Sequence, residues 1–392
     1  MQHASPRQFA PAPTSPTGLA FAPLIAIERD VRAAEEAWRA FERDNPGRLF
    51  QRFDWVAAWL ATQGVARGVE PAIAITHDAA GSPVMLLPFG VRRLGQVRLV
   101  EWPGGEHASF NLPLTRHGGL RLQSTADARA FLKAVGRAIG DVDAFALGNQ
   151  PREWDEAPHP FAGVGDVALH DGGFERRLPA GDDPLRSILD RDARKKLRAK
   201  ERKLAEIGAV AMRRAQTAGE IATALDAFQS QRRKRFADAN TANPFDEAGA
   251  EEFLRRATNA DAGRQPAIVL YSLGLGERIA ALFGGAEDKA RFSGMFTAFD
   301  DAPEIARNSP GDILLARLIE DLAARNLSAL DLGVGEARYK RAYCDRRIPM
   351  FETHLALTPA GAILSAALRA RATAKRWIKQ RPGLLSMIRR AR

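Results

Sequence analysis

The chain has 392 residues, 45% of them hydrophobic and 27% charged, which is the composition of a globular protein long enough for two domains. Fifty-seven Lys and Arg residues against 47 Asp and Glu give a net charge of +10. The single cysteine, Cys344, excludes an intramolecular disulfide and is typical of a reducing cytosol.

The N-terminal region predicts neither a membrane span nor an export signal. Its longest apolar stretch, residues 18–27, contains Pro23 and is half as long as the about 20 residues needed to cross a bilayer. Residues 1–18 are rich in Pro, Ser, Thr and Ala and lack the layout of a signal peptide. We therefore expect residues 1–20 to be disordered. The seven scattered histidines show no metal-ligand spacing, so we expect no metal.

Hydrophobic periodicity in the next part of the chain predicts a mixed α/β domain over residues 21–170. Its predicted elements are helices at 30–44, 53–63 and 125–139 and strands at 71–76, 84–91, 97–102 and 144–147. A glycine-flanked loop, WPGGEHASFNLPL, follows the third strand. The Pro- and Gly-rich interval 150–173 is the predicted linker to the second domain.

The second domain is predicted over residues 171–357. Its predicted elements are helices at 183–207, 217–236, 246–259 and 312–325 and strands at 209–215, 267–299 (three strands), about 329–334 and 350–357. The three strands alternate with tight turns at 274–276 and 287–289, as in an antiparallel meander. Because the helix 183–207 is strongly basic with a thin apolar stripe, it is either a solvated surface helix or an attractor for a phosphorylated ligand or an acidic membrane.

The turn RNSPG, at residues 307–311, precedes the helix after the meander. Ser309 is a suitable N-cap, Pro310 suits the first helical turn, and Gly311 allows a ligand to approach the backbone. Unpaired N–H groups, the helix dipole and Arg307 would together favour a phosphate or pyrophosphate. The turn matches neither the dinucleotide-binding fingerprint nor the P-loop, and an ordinary capped helix is the alternative.

The order of these motifs resembles a known family. The chain resembles the CelD-type branch of the GNAT acyltransferases, which is related to FemAB-like transferases. The resemblance lies in the strand ending in AFD, the S-P-G turn, the helix and the following strand D-L-G-x-G-E-x-x-Y-K. The resemblance implies tandem GNAT-like domains in an α/β (α+β) fold, with mixed, mostly antiparallel sheets flanked by helices. The less clear repeat of the same element order in the first half agrees with this.

The resemblance also implies that two strands splay apart and hold acyl-CoA as the substrate in the cleft between them. Backbone groups of Phe296, Thr297 and Ala298 would then line the pantetheine. The pyrophosphate would lie against the turn, at Arg307, Asn308, Ser309 and Gly311. The turn is shorter than in most GNAT proteins, which leaves another acyl carrier as an alternative donor.

Acylation of an amine requires a base for the ammonium and a proton donor for the departing thiolate. Tyr339 is the candidate acid and Lys340 a candidate electrostatic partner, because both follow the strand that faces the proposed cofactor; packing roles are the alternative. Glu106 and His107, in the glycine-flanked loop, are candidate bases. Asp300, which ends AFD, is a competing carboxylate.

Residues 358–392 carry nine Lys or Arg and no Asp or Glu, and they predict a basic amphipathic helix. Such a helix either lies on an anionic membrane through Arg371, Lys375, Arg376 and Lys379 or packs on its own domain. No motif indicates nucleic acid. Together with the resemblance, this favours a cytoplasmic enzyme, peripheral on the inner membrane, that acylates a lipid amine. A sugar-amine or hydroxyl acetyltransferase for polysaccharides and a non-catalytic scaffold are the alternatives.

Overall fold

The computed structural model of the protein describes residues 24–116, 122–179, 181, 183–238, 243–259 and 264–380. The expectations for residues 1–20 and for the chain after residue 380 lie outside this part. Within it, the strands form a first sheet, a second sheet and a small hairpin. Helices cover the sheets, as expected for a mixed α/β chain.

The strands are β1 (Leu24–Glu28), β2 (Val69–His77), β3 (Pro83–Leu94), β4 (Val97–Glu101), β5 (Leu114–Thr115), β6 (Ala144–Pro151), β7 (Glu153–Trp154), β8 (Ala157–Pro158), β9 (Asp166–Ala168), β10 (Gly173–Arg177), β11 (Val210–Arg214), β12 (Val269–Leu275), β13 (Arg278–Glu287), β14 (Arg291–Phe299), β15 (Ala329–Val334), β16 (Arg346–Ile348) and β17 (Met350–Ala356). The predicted meander is therefore confirmed as β12, β13 and β14. Strands β1, β5, β7 to β10 and β16 were not predicted.

The helices are α1 (Glu35–Asp44), α2 (Phe53–Trp59), α3 (Thr125–Ile139), α4 (Leu185–Ile188), α5 (Arg191–Ala205), α6 (Ala218–Asp238), α7 (Ala250–Thr258), α8 (Pro303–Ala306), α9 (Pro310–Ala324), α10 (Arg338–Tyr343) and α11 (Pro359–Lys379). The predicted helix 183–207 is interrupted between α4 and α5, because the Asp190 carboxylate accepts a hydrogen bond from the Ala193 N–H and starts a new helix there.

The two sheets repeat one topology. The first has the order β1-β2-β3-β4-β6-β17-β9, with β5 beside β3, and the second has the order β11-β12-β13-β14-β15-β10-β16. In each sheet an antiparallel meander is followed by a helix and a strand parallel to the last meander strand: β4-α3-β6 in the first and β14-α9-β15 in the second. The expected tandem arrangement of GNAT-like units, with mostly antiparallel sheets flanked by helices, is confirmed.

The two repeats exchange strands. The sequence analysis assigns β17 to the second unit, but β17 pairs antiparallel with β6 in the first sheet. Conversely, β10, at the start of the predicted second domain, takes the equivalent place beside β15 in the second sheet. The pairing of β17 covers the open edge of β6 and buries Phe351 and Leu355, which explains its position.

Residues 150–173 were predicted to be a linker between the two domains, but much of this interval is folded and buried. Strands β7 and β8 form a hairpin whose two turn residues, Asp155 and Glu156, both have positive φ. After the hairpin, Phe161 and Val164 are fully buried in the core of the first unit. Pro and Gly therefore mark tight turns in this interval rather than a flexible connection.

A buried ion-pair cluster fastens the exchanged strand β10 to its neighbours. Arg291 on β14 lies 2.5 Å from the Glu175 carboxylate on β10, and Arg346 on β16 lies 3.1 Å from the other oxygen of that carboxylate. Arg291 also pairs with Asp155 at 3.0 Å and stacks on Trp154 at 4.3 Å. The cluster thus joins β10 and the hairpin to the strand that begins the splay described below.

Candidate functional site

Strands β14 and β15 pair only at their beginnings and then separate. The parallel register joins Arg291–Ser293 to Ala329–Asp331, whereas β14 continues to Phe299 and β15 to Val334. A cleft of about 360 Å³ lies beyond the last shared pair and is called the splay cleft here. This is the opening between two strands that the sequence resemblance implies.

Gly333 lies where the strands part, and its backbone has φ +70°. A Cβ atom there would be 2.9 Å from the Gly294 carbonyl oxygen and 2.8 Å from the Ser109 hydroxyl. The position therefore requires glycine for its conformation and for the close approach of three segments. This accounts for the first glycine of the LGVG sequence.

A β-bulge interrupts β14 at the start of the cleft. Gly284 on β13 pairs with Phe296 and Gly285 with Gly294, so Met295 is an extra residue without a partner in the ladder. Met295 lines the cleft. The bulge therefore leaves backbone groups of β14 outside the ladder at the start of the cleft. The sequence analysis missed it, although the glycines on both strands were a signal.

Helix α10 brings Tyr339 and Lys340 to the cleft, as the sequence analysis expects. Burial raises the pKa of Tyr339 to about 12, so its phenol keeps its proton at neutral pH. Burial lowers the pKa of Lys340 to about 8, and its ammonium donates to the Val334 carbonyl oxygen at 2.9 Å. Lys340 can therefore exchange a proton near neutral pH.

A second titratable group lies beneath the cleft, where β14 and β15 still pair. Asp331 is fully buried and accepts hydrogen bonds from the Ser293 hydroxyl at 2.5 Å and the Gly333 N–H at 3.2 Å. Burial raises its pKa to about 7, against the opposing charge of Arg291. Among the described residues, no group of three or more His, Cys, Asp or Glu side chains is arranged to hold a metal ion.

Two arginines of α6 line the cleft and were missed as site residues. Arg232 lies over the rings of Phe236 and Phe245, 4.6 and 5.0 Å from their centroids, and burial lowers its pKa to about 10. Arg235 is exposed and lies 5.5 Å from the ring of Phe299. The sequence signal was the run QRRKRF, which places charge beside aromatic residues at the end of α6.

The glycine-flanked loop of the first unit reaches the cleft, but its two candidate bases have different surroundings. Glu106 is exposed and lines the cleft. His107 is 5% exposed and packs against Phe245 and Phe253. Burial lowers its pKa to about 4, which leaves it neutral at pH 7. The lining of the splay cleft includes Glu106 but not His107.

The predicted pantetheine residues lie along β14. Phe296 and Thr297 line the cleft, and the Thr297 hydroxyl donates to the Leu282 carbonyl oxygen at 3.0 Å. Ala298 is buried in the core. Asp300, just after the strand, lies outside the cleft lining and pairs with Arg278 at 2.6 Å, and its other oxygen accepts from the Ala302 N–H. In this structure Asp300 therefore organises a turn.

The predicted pyrophosphate turn starts α9, which begins at Pro310, two residues earlier than predicted. Ser309 occupies the N-cap position with φ +49°, and its hydroxyl accepts a hydrogen bond from the Lys200 ammonium of α5 at 2.7 Å. Asn308 is buried and Arg307 is exposed. A Cβ atom on Gly311 would meet nothing within 4 Å, so this face of the first helical turn is open.

The turn and the cleft adjoin each other through α10. The Tyr343 hydroxyl donates to the Asp312 carbonyl oxygen, in the first turn of α9, at 3.3 Å. Tyr339 and Lys340 of the same short helix line the cleft. Lys200 of α5 adds positive charge to the N-terminus of α9, which α10 links to the cleft.

The predicted tail helix is confirmed as α11 up to Lys379. Its Gly361 and Ser365 are buried on the first sheet, whereas Ile363 is 76% exposed. The four predicted membrane contacts, Arg371, Lys375, Arg376 and Lys379, line a groove between this helix and the protein body. No helix in the described part of the chain is long and apolar enough to span a bilayer.

Comparison with known proteins agrees with this geometry. A model of the acetyltransferase (GNAT) domain matches residues 191–341, which contain β14, β15, α9 and the first four residues of α10. No curated protein sequence gives a significant match to the chain.

Solved structures share the fold of the whole chain. FemX is 10% identical and has a TM-score of 0.55, with 86% of this chain and 98% of FemX covered. A conserved protein of unknown function from Bacteroides thetaiotaomicron has the same identity and TM-score, with 86% and 100% covered. The C-terminal domain of a provisionally named lysylphosphatidylglycerol synthetase from Agrobacterium fabrum is 12% identical, with a TM-score of 0.51 and 87% and 96% covered.

These similarities establish the fold of the chain, and the domain match gives its chemistry. Residues 191–341 carry a GNAT acetyltransferase domain, in which the paired and then splayed strands form the cleft. The second unit of the chain is therefore an acyltransferase domain of the kind that uses acyl-CoA, and the first unit repeats its topology.

Proposed function

We propose that the chain is an N-acyltransferase of the CelD type that moves an acyl group from acyl-CoA to a primary amine of an envelope precursor. The observation that carries the proposal is the splay of β14 and β15, which opens a cleft beside a backbone bulge, a buried lysine and a protonated tyrosine. The acyl thioester lies along β14, at Phe296 and Thr297. The diphosphate of the donor lies at the start of α9.

The proposed diphosphate site combines three sources of positive potential. The Gly311 N–H and the positive end of the helix dipole lie at this turn, and the outer face of Gly311 is open. The Asp312 and Ile313 N–H groups of the same turn donate to the Ser309 carbonyl oxygen. Lys200 reaches the same turn from α5, and Arg307 is exposed next to it. A diphosphate would therefore meet the Gly311 N–H, the positive end of the helix dipole and two cations.

The proposed chemistry is direct attack of a neutral amine on the thioester carbonyl. The C–N bond forms, the C–S bond breaks, and the proton lost by the amine has to be accepted by a base. Lys340, with its pKa of about 8, accepts that proton when it is neutral. Tyr339 keeps its proton and donates to the departing thiolate. Glu106, at the exposed end of the cleft, is the alternative base.

For the acceptor we propose a long-chain lipid amine presented at the inner membrane surface. The basic tail and the resemblance to the CelD branch support this, as does the fold shared with a domain of a protein named for lysylphosphatidylglycerol synthesis. The exposed Ile363 and the charged side chains of α11 lie on the same helix, as an interfacial helix requires.

Calorimetric titration of acetyl-CoA and palmitoyl-CoA into Gly311→Val protein tests the donor site. The new side chain has free space in the protein but stands where the diphosphate would lie, so we expect at least about tenfold weaker binding. Gly219→Val is the matched control, because Gly219 is also the second residue of a helix with open space around it.

Equal affinity in wild type and Gly311→Val would refute the donor site. Absence of binding for both donors would favour the non-catalytic scaffold. Tighter binding of palmitoyl-CoA than of acetyl-CoA would support lipid acylation, and the reverse preference would favour a sugar-amine acetyltransferase.

A further inference from the structure

A basic groove lies between α11 and the edge of the first sheet, with a volume of about 300 Å³. It is called the tail groove here. Arg371, Lys375 and Arg376 of α11 form one wall, and Glu352 and His354 of β17 form part of the other. The tail groove therefore contains cations that the sequence alone would place on a membrane-facing surface.

The three cations of the tail groove lack carboxylate partners among the described residues, whereas the neighbouring Lys379 is paired with Asp171. Arg371 and Lys375 are one helical turn apart, so their like charges repel each other on the same face. An anion in the groove would relieve this repulsion and would be held by forked guanidinium donors. The chemistry of the wall thus fits a phosphate.

The opposite wall carries a carboxylate. Glu352 lies 3.2 Å from the Nε2 atom of His354, and both residues project from the same face of β17 because they are two positions apart. Glu352 is partly exposed to the groove, so it can contact an ammonium group. The Glu352 carboxylate would therefore attract the ammonium group of a phosphate-bearing amine as it enters the groove, before the amine extends towards the splay cleft.

The tail groove adjoins the splay cleft. Asn149 and Val334 line both of them. Lys340, the proposed proton acceptor, donates its hydrogen bond to the Val334 carbonyl oxygen at that junction. An amine that passes this junction from the groove therefore arrives beside Lys340 and the strand that holds the thioester.

We infer that the tail groove binds the phosphate of the amine acceptor, whose amine extends past Asn149 and Val334 into the splay cleft. This inference rests on the proposed function and names its acceptor class as phosphate-bearing primary amines. The phosphate belongs either to a soluble ester or to a lipid headgroup. In both cases Arg371 and Arg376 bind the anion, and α11 acts as a wall of the active site.

The test uses the full chain and two probes that differ by the phosphate, O-phosphoethanolamine and ethanolamine, titrated by calorimetry. We expect O-phosphoethanolamine to bind and ethanolamine to bind at least about tenfold more weakly. Arg371→Ala and Arg376→Ala should each weaken O-phosphoethanolamine binding by about tenfold. Arg369→Ala is the matched control, because Arg369 is exposed on the same helix and outside the groove lining.

A vesicle experiment distinguishes the two sources of phosphate. Phosphatidylethanolamine vesicles are sedimented with the protein, with and without O-phosphoethanolamine as competitor. Arg371-dependent sedimentation that the competitor abolishes supports the inference and assigns a lipid headgroup. Binding of O-phosphoethanolamine without sedimentation supports it and assigns a soluble ester. If the competitor does not change sedimentation and the protein does not bind O-phosphoethanolamine, the inference is overturned. The cations of α11 then form a membrane-contact surface.

Acetyl-CoA titration of the same variants separates this inference from the proposed function. Arg371→Ala and Arg376→Ala should bind acetyl-CoA as the wild type does. If the protein binds acetyl-CoA but wild type, Arg371→Ala and Arg376→Ala bind O-phosphoethanolamine with equal affinity, the inference about the tail groove is overturned and the proposed function is not. Groove-dependent binding of O-phosphoethanolamine in a protein that does not bind acetyl-CoA would support the anion site and refute its role in acyl transfer.

Discussion

Lys340→Met should change how stability depends on pH, because the wild-type lysine is buried and has a pKa of about 8 instead of 10.5. Between these two values the unfolded chain binds more protons than the folded chain, so the stability of the wild type rises with pH. A shift of this size gives a gain of about 2 kcal/mol between pH 7.5 and pH 10. Methionine has a similar length and does not titrate, so the variant should lack this gain.

Urea unfolding of wild type and Lys340→Met at pH 7.5 and pH 10 measures the effect. The difference in unfolding free energy between the two proteins should move by about 2 kcal/mol in favour of the wild type at the higher pH. Titration of Tyr339, whose pKa burial raises, affects both proteins and cancels in the difference.

An activity profile supplies the functional half of this prediction. If neutral Lys340 accepts the amine proton, about one tenth of the enzyme is in the active form at pH 7 and about nine tenths at pH 9. The rate of thiol release should therefore rise about tenfold, with a midpoint near pH 8, and Lys340→Met should lose that midpoint. Two results together would refute the reasoning. Wild type and Lys340→Met would differ in unfolding free energy by the same amount at pH 7.5 and pH 10, and the activity of the variant would keep its midpoint near pH 8.

Three further changes test other parts of the structure. Glu175→Gln should destabilise the fold by about 3 kcal/mol in urea unfolding, because it leaves Arg291 buried with a weakened partner set; an unchanged midpoint would contradict this. Gly333→Ala should lower the melting temperature measured by calorimetry, since the positive φ alone costs about 1–2 kcal/mol and the methyl group would lie 2.9 Å from a backbone oxygen of β14. An unchanged melting temperature would mean that the backbone around residue 333 adjusts freely. Lys200→Met should weaken acetyl-CoA binding, whereas Lys203→Met, exposed on the same helix, should not, and equal effects would argue against a specific contact.

Helices, strands and turns were predicted well from the sequence, because the patterns that indicate them lie within a few neighbouring residues. Period-two and helical patterns gave the meander and α9, and the RNSPG turn lies at a helix start. The resemblance implied a splay that the strand pairing confirms. Tyr339, Lys340 and Glu106 were singled out by their position after a strand or in a loop, and all three line the cleft.

What the sequence did not predict depends on contacts between distant segments. His107 looks like a loop base in sequence, but two phenylalanines about 140 residues away bury it. Lys200 reaches Ser309 only because α5 crosses the start of α9. The strand exchange joins β6 to β17, about 200 residues later, and no local pattern marks such a pairing.

The strand exchange also determines the order in which the chain can fold during synthesis. When the ribosome has completed β6, the first sheet still has an open edge, and the strand that covers it is made about 200 residues later. The first half therefore waits, with unpaired backbone groups exposed, until almost all of the second half has emerged. When the gene is divided near residue 170, the first fragment should have an incomplete sheet, and the second should have a complete sheet together with the unpaired strand β17. Co-expression of both fragments should restore a soluble complex.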